Sequence, residues 1–350
     1  MTGPSGLNTL MRAAVYHDNS DIRIEEMPVP GTGDGELLVR VVSSGICGSD
    51  VMEWYRIPKA PLVLGHEIAG VVEKARGDVP FEEGDRVFAA HHVPCGECRW
   101  CAAGMESLCD TLRSTNFDPG GFAEYVRVPA INVEKGTFLL PDEISFDEGA
   151  FVEPLACVSR SVRLSGFEEG MSSLVIGSGI SGLLHIKLLR ALGAGRIAAT
   201  DIDRARLDAA RDAGADISLN AAKDVHERLA GETGGEMFDV VFVCAGAPAA
   251  VRSGLESAGR GGTVMLFAPL APDDEVPVPL FRLWRDQVTV RSTYAGCPVD
   301  SEDAIGLLAS GRVEVEDLIT HILPLERAAE GFRLVAEGGE AIKVIIRPGE

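Results

Sequence analysis

A run of alternating strands and helices in the second half of the chain most constrains its fold. The apolar strand "SSLVIGSG" precedes the helical pattern "ISGLLHIKLLRALG", and the strand "RIAATDI" precedes the helical pattern "RARLDAARDAG". Two further strands, "FDVVFVCAG" and "GGTVMLFAP", are separated by a predicted helix over residues 248–258. Strands that alternate with helices of this length predict a doubly wound parallel sheet in an α/β fold.

The first 150 residues have a different pattern. Short apolar segments such as "ELLVRVVSSG" and "EIAGVVEKA" are broken by glycine and proline, which is typical of a compact β-rich domain. Helical spacing begins near Ser145, a predicted N-cap with Glu148 at the capping-box position. We therefore predict a β-rich domain over residues 1–155, a nucleotide-binding domain over 156–292 and a return segment over 293–350. Residues 1–10 are expected to form a loose extension.

Composition narrows the classes of protein that this chain can belong to. With 350 residues it is longer than one compact core usually holds, so two domains are expected. A formal net charge of −21 argues against a nucleic-acid partner, which would require clustered lysine and arginine. No apolar run approaches the roughly 20 residues that span a bilayer, so no membrane segment is predicted. Four of the eight cysteines fall between residues 95 and 109 and no secretion signal precedes them, so we expect a cytoplasmic protein.

The segment "VIGSGISG" gives a G-x-G-x-x-G pattern between a predicted strand and a predicted helix. Gly177 permits the tight turn, Gly179 lets a pyrophosphate approach the backbone, and Gly182 lets the helix pack on the strand. Ile180 opens the helix, whose N-terminus attracts phosphate. A lone glycine pattern is weak evidence, but its position between strand and helix predicts a dinucleotide site.

An acidic residue, Asp201, stands at the end of the following strand. A carboxylate there accepts hydrogen bonds from the ribose 2′-OH and repels a 2′-phosphate, so NAD is favoured over NADP. Alone, Asp201 would more often be a solvated residue at a strand end. Arg204 and Arg206 lie nearby, and Arg206 is a further candidate contact of the cofactor.

The segment "CGECRWCAAGMESLC" forms a C-x₂-C-x₂-C-x₇-C array of Cys95, Cys98, Cys101 and Cys109. Four thiolates in so short a loop predict a closed tetrahedral zinc site with a structural role. An iron–sulfur cluster would use the same ligands, but the long last gap and the missing proline count against it. Disulfides are the simpler alternative, and C-x₂-C pairs make poor bridges in a reducing compartment.

A second set of possible metal ligands is scattered along the sequence: Cys47, His66, Glu67 and Glu153. Taken singly, these are more often a small buried thiol, a core histidine and surface carboxylates. Together they offer the mixed sulfur, nitrogen and oxygen atoms of a catalytic zinc site. Glu153 lies inside the apolar segment "AFVEPLACV", where a nearby cation would explain a buried charge.

The order of these motifs resembles the zinc-dependent medium-chain dehydrogenases of the alcohol dehydrogenase superfamily. It begins with "CGSD" and "GHE", continues through the four-cysteine lobe and "VEP", and ends with the glycine motif. The form "EPLACVSRSV" is most similar to the sorbitol, threonine and glucose dehydrogenase branch, and the resemblance covers nearly the whole of residues 11–350. It implies a parallel Rossmann sheet inserted in a β-rich GroES-like catalytic domain.

The resemblance also implies roles at the catalytic zinc. Cys47, His66 and Glu153 would be fixed ligands, and Glu67 would exchange with water or move onto the metal. Asp50 would hydrogen-bond the far nitrogen of His66.

Proton transfer and cofactor contacts follow from the same resemblance. Ser49 would take the proton of the alcohol. Many relatives have a histidine where this chain has Met52, and methionine cannot carry that proton onward. Lys343 would reach the pyrophosphate. The residues expected along the nicotinamide side are Cys244, Phe267 and Ala295.

The implied reaction is the oxidation of a secondary alcohol, of the polyol or sugar-like class, to a ketone with hydride transfer to NAD. The family resemblance also implies a homodimer or homotetramer. One alternative is a relative with a non-standard proton relay that acts on another alcohol or ketone, or that uses NAD for a transient redox step. A zinc-free quinone-reductase-like enzyme and a structural NAD-binding protein are two others, and neither requires two zinc sites.

Overall fold

The computed structural model describes residues 9–222 and 225–350, which fall into two compact units. The first unit joins the chain up to Ala156 with Ala295–Glu350, and the second unit is Cys157–Tyr294. Of the predicted loose extension, residues 1–8 lie outside the described residues, and Leu10 already begins a strand.

The first unit is built mainly from two sheets. Their strands, numbered along the chain, are β1 Leu10–Asp18, β2 Asp21–Pro28, β3 Leu37–Gly45, β4 Leu62–Val63, β5 Glu67–Ala75, β6 Arg86–Ala90, β7 Tyr125–Val128, β8 Thr137–Leu139, β15 Ile319–Pro324 and β16 Lys343–Arg347. The smaller sheet has the order β2-β1-β4, and the larger has the order β15-β16-β3-β5-β6-β8 with β7 also paired to β3. β3 is central, and seven of its nine residues are buried.

Short helices cover this unit. They are α1 Glu53–Arg56, α2 Arg99–Ala102, α3 Asp110–Ser114, α4 Ala130–Gly136, α5 Phe146–Gly149, α12 Pro298–Ala309 and α13 Ala328–Glu337. The apolar faces of β3, β5 and β6 form one core, with Val39, Val41, Ile68, Val72 and Val87 among its buried side chains.

The single helix expected after Ser145 is divided in two. Ser145 caps α5 as predicted: its hydroxyl accepts from the backbone of Glu148 at 3.2 Å, and the Glu148 carboxylate accepts in return at 2.8 Å. A second helix, α6, then runs over Val152–Ser165. The break has a physical reason, because Pro154 is tolerated in the first turn of a helix and not in its interior.

The second unit contains a six-stranded parallel sheet, which confirms the predicted doubly wound architecture. Its order is β11-β10-β9-β12-β13-β14, with strands β9 Ser172–Ile176, β10 Arg196–Asp201, β11 Ile217–Asn220, β12 Phe238–Val243, β13 Ala258–Leu266 and β14 Thr289–Ser292. The helices are α7 Ile180–Ala191, α8 Arg204–Asp212, α9 Val225–Thr233, α10 Pro248–Ser257 and α11 Leu280–Asp286. Within the described residues, no helix has the length and apolar character needed to cross a membrane.

The register of the larger sheet brings distant parts of the chain together in the first unit. β3 pairs antiparallel with β5, so that Gly45 lies opposite Glu67. β16 pairs antiparallel with the same end of β3, through Ile345 opposite Gly45. The end of β3 just before the "CGSD" segment, the start of "EIAG" and the C-terminal strand therefore meet at one place.

Candidate active site and metal centres

The four lobe cysteines converge on one point. Their sulfur atoms all lie within 4.8 Å of one another, with Cys98 and Cys101 at 3.5 Å, Cys95 and Cys109 at 3.6 Å, and Cys95 and Cys101 at 3.9 Å. All four are free thiols. A zinc–sulfur distance of about 2.3 Å puts tetrahedral ligand sulfurs roughly 3.8 Å apart. The lobe therefore fits a zinc ion with four sulfur ligands and no open position.

Backbone amides support thiolates in this lobe. The amide of Cys95 donates to Sγ of Cys109 at 3.4 Å, and that of Cys98 donates to Sγ of Cys95 at 3.3 Å. Burial acts to raise the pKa of Cys109, but the hydrogen bond from the amide of Cys95 and others to the same sulfur outweigh it and lower that pKa to about 6. A thiolate is the form that binds zinc.

A second cluster brings together Cys47, His66 and Glu67, whose ligand atoms also lie within 4.8 Å of one another. Cys47 caps the short turn Gly48–Val51, and its sulfur accepts from the backbone of Ser49. Gly65 has a φ of +98°, and a Cβ there would lie 2.7 Å from a backbone nitrogen, so only glycine permits the turn that presents His66. The cluster offers one sulfur, one nitrogen and one oxygen, the donor set that suits a catalytic zinc.

Asp50 supports the histidine of this cluster. Its carboxylate is completely buried, and Oδ1 lies 3.4 Å from Nδ1 of His66. Burial opposes both charges, but their mutual attraction lowers the pKa of Asp50 and raises the pKa of His66 well above its usual value. Because Nδ1 faces the carboxylate, Nε2 is left as the nitrogen for a metal, and the family resemblance implies the same arrangement.

Sequence reasoning missed Arg56, which lies at the end of α1. Its Nη2 donates to Oγ of Ser49 and to Oδ1 of Asp50, both at 3.0 Å, and its Nε donates to the carbonyl of Ser49 at 2.9 Å. An arginine one short helix after the "CGSD" segment was the available clue.

The structure gives Lys343 a contact different from the predicted one. Its ammonium forms an ion pair with Glu67, and both side chains are buried. Gly45 makes room for the pair, because a Cβ there would overlap Glu67 and lie 2.6 Å from Cε of Lys343. The pyrophosphate contact of Lys343 stays a prediction.

Glu153 is not among the three residues of the Cys47 cluster. Among the described residues, the group whose ligand atoms all lie within 4.8 Å contains Cys47, His66 and Glu67 without it. Glu153 lies in the first turn of α6 and lines a small cavity together with His91 and His92. Its role as a ligand stays a prediction.

Two histidines that sequence reasoning missed link this cavity to the cluster. The ring of His91 lies 4.7 Å from the ring of His66 and 3.9 Å from that of His92. Nδ1 of His92 donates to the carbonyl of Thr115 at 2.9 Å, so Nε2 carries the lone pair. Burial is the main reason that the pKa of His92 falls to about 4, which keeps the ring neutral at pH 7. The "HH" pair before the first lobe cysteine was the clue.

Ala295, a predicted cofactor contact, lines the same cavity. Its φ is +55°, a left-handed conformation that costs a non-glycine residue roughly 1 kcal/mol or more. Its contact with the cofactor stays a prediction.

The glycine motif of the second unit forms a cradle with one open position. Gly177 has a φ of +92°, and a Cβ on Gly182 would overlap the carbonyl of Gly177. A Cβ on Gly179 would meet only Nη1 of Arg206, at 3.6 Å. Gly179 is also the N-cap of α7 and makes no side-chain cap, so the first amides of the helix, beginning at Ile180, are available to phosphates. The cradle fits a dinucleotide.

Asp201 ends β10 beside this cradle. Its carboxylate accepts from the backbone amides of Ser178 at 2.7 Å and Asp203 at 2.9 Å, which holds it at the carboxyl end of the sheet. Nε of Arg206 is buried without a hydrogen-bond partner among the described residues. Both positions suit the contacts predicted for them, which stay predictions.

The other two predicted cofactor residues, Cys244 and Phe267, pack around one buried histidine. Sγ of Cys244 lies 3.6 Å from Nδ1 of His185, and the ring of Phe267 lies edge-on at 4.9 Å from the same imidazole. Burial raises the pKa of Cys244. Their place along the nicotinamide stays a prediction.

A family model for the alcohol dehydrogenase GroES-like domain matches residues 33–141, and one for zinc-binding dehydrogenases matches residues 181–310. The chain is 33% identical to sorbitol dehydrogenase of Gallus gallus over 350 aligned positions, which cover 96% of each protein.

Solved structures agree with these matches. A putative zinc-binding dehydrogenase from Sinorhizobium meliloti 1021 bound to NADP has a TM-score of 0.88 at 29% identity, over 97% of this chain and 100% of that one. The 2R,3R-butanediol dehydrogenase of Bacillus subtilis has a TM-score of 0.84 at 29% identity, over 97% of this chain and 99% of that one. These matches confirm the resemblance drawn from the sequence motifs and the predicted fold.

Proposed function

The chain belongs to the zinc-binding dehydrogenase family of the alcohol dehydrogenase type, and from this premise we propose that it oxidises a secondary alcohol of the polyol or sugar-like class to a ketone with NAD. It is an oxidoreductase that uses zinc and a nicotinamide cofactor. The observation that carries the proposal is the cluster of Cys47, His66 and Glu67, which lies apart from the four-thiol lobe.

The residues present fit two zinc ions and one dinucleotide. Cys47, His66 and Glu67 would hold the catalytic zinc, with Glu153 as a further ligand, and the lobe cysteines would hold the structural one. When bound, the catalytic zinc supplies a Lewis acid that makes a hydroxyl more acidic, and NAD supplies the acceptor for a hydride.

The protein's own groups orient the alcohol and handle its proton. The carbon loses a hydride to NAD and the oxygen loses a proton, which the hydroxyl of Ser49 accepts as it gives up its own hydrogen. Asp50 fixes the ring of His66, and Lys343 holds the carboxylate of Glu67. The thioether of Met52 does not accept a proton, so the hydrogen released by Ser49 passes to water rather than to a histidine at that position.

The cofactor proposed for this reaction is NAD. A 2′-phosphate would bring negative charge to the carboxylate of Asp201, which is buried and fixed by two backbone amides. Arg206 is the group that could offset this repulsion, so its presence makes NADP⁺ a necessary comparison.

A substrate screen tests the proposed reaction. Purified, zinc-loaded protein is mixed with a panel of polyols, sugars and simple secondary alcohols, and the formation of NADH is followed at 340 nm, with NADP⁺ in parallel. We expect polyols to be oxidised with NAD⁺ in preference to NADP⁺. A panel in which no alcohol is oxidised, while the protein holds two zinc ions and binds NAD, would contradict the proposal.

A variant tests the ligand assigned to the cavity. Glu153→Ala should abolish turnover while NAD binding, followed by fluorescence titration, survives. Glu134→Ala is the control, because Glu134 is an exposed glutamate that pairs with a neighbouring lysine. Undiminished turnover in Glu153→Ala would remove Glu153 from the site.

We also propose that the chain forms a homodimer or homotetramer in the cytoplasm. β14 is the edge strand of its sheet and all four of its residues are exposed, and the exposed apolar side chains Phe281 and Trp284 precede it. Val290→Lys should shift the mass measured by light scattering toward the monomer, since the charge opposes strand pairing. An unchanged mass would argue against this edge. The free thiols of the lobe suit a reducing compartment.

A further inference from the structure

Arg56 connects two residues that have separate tasks in the proposed reaction. Nη2 of Arg56 lies 3.0 Å from Oγ of Ser49 and 3.0 Å from Oδ1 of Asp50. Nε reaches the carbonyl of Ser49 at 2.9 Å, so the guanidinium is fixed by three hydrogen bonds. Only 13% of its side chain is exposed, which leaves water little opportunity to compete.

We propose that Arg56 is a positioning residue that joins the proton-handling hydroxyl of Ser49 to the carboxylate of Asp50 and holds the two as one unit. The inference rests on the proposed function, because it assigns Arg56 a task within the same site. Arg56 itself touches neither the reacting carbon nor the metal ligands in this scheme, and it acts through Ser49 and Asp50.

The direction of the hydrogen bonds defines what Arg56 does to Ser49. A guanidinium only donates and keeps its proton throughout the physiological pH range, so Oγ of Ser49 must accept from it. One lone pair of Oγ is thereby occupied, and the other lone pair and the hydroxyl hydrogen are left for the alcohol and the departing proton. Among the described residues, no other side chain hydrogen-bonds this hydroxyl.

This anchoring matters more because residue 52 is a methionine. A histidine in a relay would take up the proton leaving Ser49 and would orient the hydroxyl through that bond. Met52 offers no such bond, so the rotamer of Ser49 depends on Arg56. Without the guanidinium, Oγ would be free to populate other staggered positions, and fewer encounters would place it at the alcohol oxygen.

The contact with Asp50 extends the same unit to His66. Asp50 is completely buried, and its carboxylate is stabilised by Arg56 and His66 on Oδ1 and by the amide of Cys47 on Oδ2 at 3.1 Å. A buried carboxylate that loses one of its cationic partners is destabilised and shifts toward the remaining donors. Removal of Arg56 should therefore disturb the group that orients His66.

A double-mutant cycle on kcat tests whether Arg56 acts through Ser49. Arg56→Met, Ser49→Ala and the double variant are compared with wild type under the conditions of the substrate screen. We expect Arg56→Met to lower kcat roughly 10- to 100-fold, the effect of one hydrogen bond to a charged group, with KM nearly unchanged. In the Ser49→Ala background, Arg56→Met should lower kcat by a smaller factor than in wild type, because only its contact with Asp50 is then left to lose. Fully additive losses would overturn the proposal.

A conservative variant separates positioning from charge. Arg56→Lys keeps the positive charge, but a single ammonium does not reproduce the planar fork that reaches Ser49 and Asp50 together. It should recover only part of the lost kcat. Full recovery of kcat by Arg56→Lys would overturn the proposed bridging role. Arg23→Met is the control, because that arginine forms an exposed pair with Asp21.

Release of zinc gives a readout that does not depend on turnover. The zinc-loaded proteins are mixed with a chromophoric chelator, and loss of the ion from the Cys47 cluster is timed. Arg56→Met should release this zinc several-fold faster than wild type through the disturbed Asp50, whereas Ser49→Ala should not. Equal release rates would overturn the Asp50 part of the inference. If wild type oxidises no alcohol, the proposed function fails, and the release rates still decide whether Arg56 supports the site.

Discussion

Replacing Lys343 with methionine should destabilise the first unit far more than the loss of an ordinary surface charge. The ammonium of Lys343 is completely buried, and its partner Glu67 is 1% exposed. Methionine is similar in length, so the change removes the charge and leaves little empty volume. The carboxylate of Glu67 would then remain buried without the cation that compensates it.

The structure sets the expected magnitude. Removing one partner of a buried ion pair typically costs about 3–5 kcal/mol, because the other charge stays in a medium that solvates it poorly. Breaking an exposed pair costs about 0–1 kcal/mol. Arg333→Met is the matched control, since Arg333 and Glu337 form an exposed pair on α13 in the same unit. In the double variant Lys343→Met/Glu67→Gln no charge is left unpaired, so most of the lost stability should return.

Urea unfolding of metal-free protein measures these differences. Two tryptophans, Trp54 and Trp100, lie in the first unit, so a Trp284→Phe background makes fluorescence report on that unit. Zinc should reduce the penalty of Lys343→Met, since a bound cation would compensate Glu67. If Lys343→Met proves no less stable than Arg333→Met in the metal-free protein, the argument from the buried pair is wrong.

Three further predictions concern the metals, the cofactor and pH. Metal analysis should find two zinc ions per chain, one fewer in Cys47→Ser, and a count of one in wild type would contradict the second site. Gly179→Ala should weaken NAD binding more than tenfold in a protein that still folds. Gly182→Ala should instead lower the thermal midpoint, because only the Cβ at position 182 overlaps the backbone. Equal thermal midpoints for the two variants would refute this distinction. Burial lowers the pKa of His185 from about 6.5 in the unfolded chain to about 4, so the unfolded state binds a proton first as the pH falls. The free energy of unfolding should therefore fall by about 3 kcal/mol between pH 6.5 and pH 4. A His185→Gln variant with the same acid sensitivity as wild type would contradict this assignment.

Features whose geometry is set within a short stretch could be read from the sequence. The glycine motif works because a strand, a turn and a helix follow one another directly, and the structure has that order in β9 and α7. The lobe cysteines meet because their spacing lies within one loop. The break between α5 and α6 was not predicted, although Pro154 fits only the first turn of a helix and so indicates a helix start just before it.

Contacts between distant segments could not be read in this way. Lys343 and Glu67 are 276 residues apart, and they meet because β3 pairs with both β5 and β16. Nothing in the local sequence of Lys343 distinguishes a buried partner of a carboxylate from a cofactor contact. His91 and His92 likewise acquire meaning only where the fold brings their rings toward His66 and Glu153.

Local spacing and side-chain chemistry were enough to predict the alternation of strands and helices, the four-thiol lobe and the residue types of the second cluster. Tertiary structure decided which of those residues touch. Cys47, His66 and Glu67 form one cluster, Glu153 lines the cavity beside His91, and Arg56 hydrogen-bonds Ser49. The physical reason is that strand register and burial fix distances between segments, and neither is encoded in local spacing.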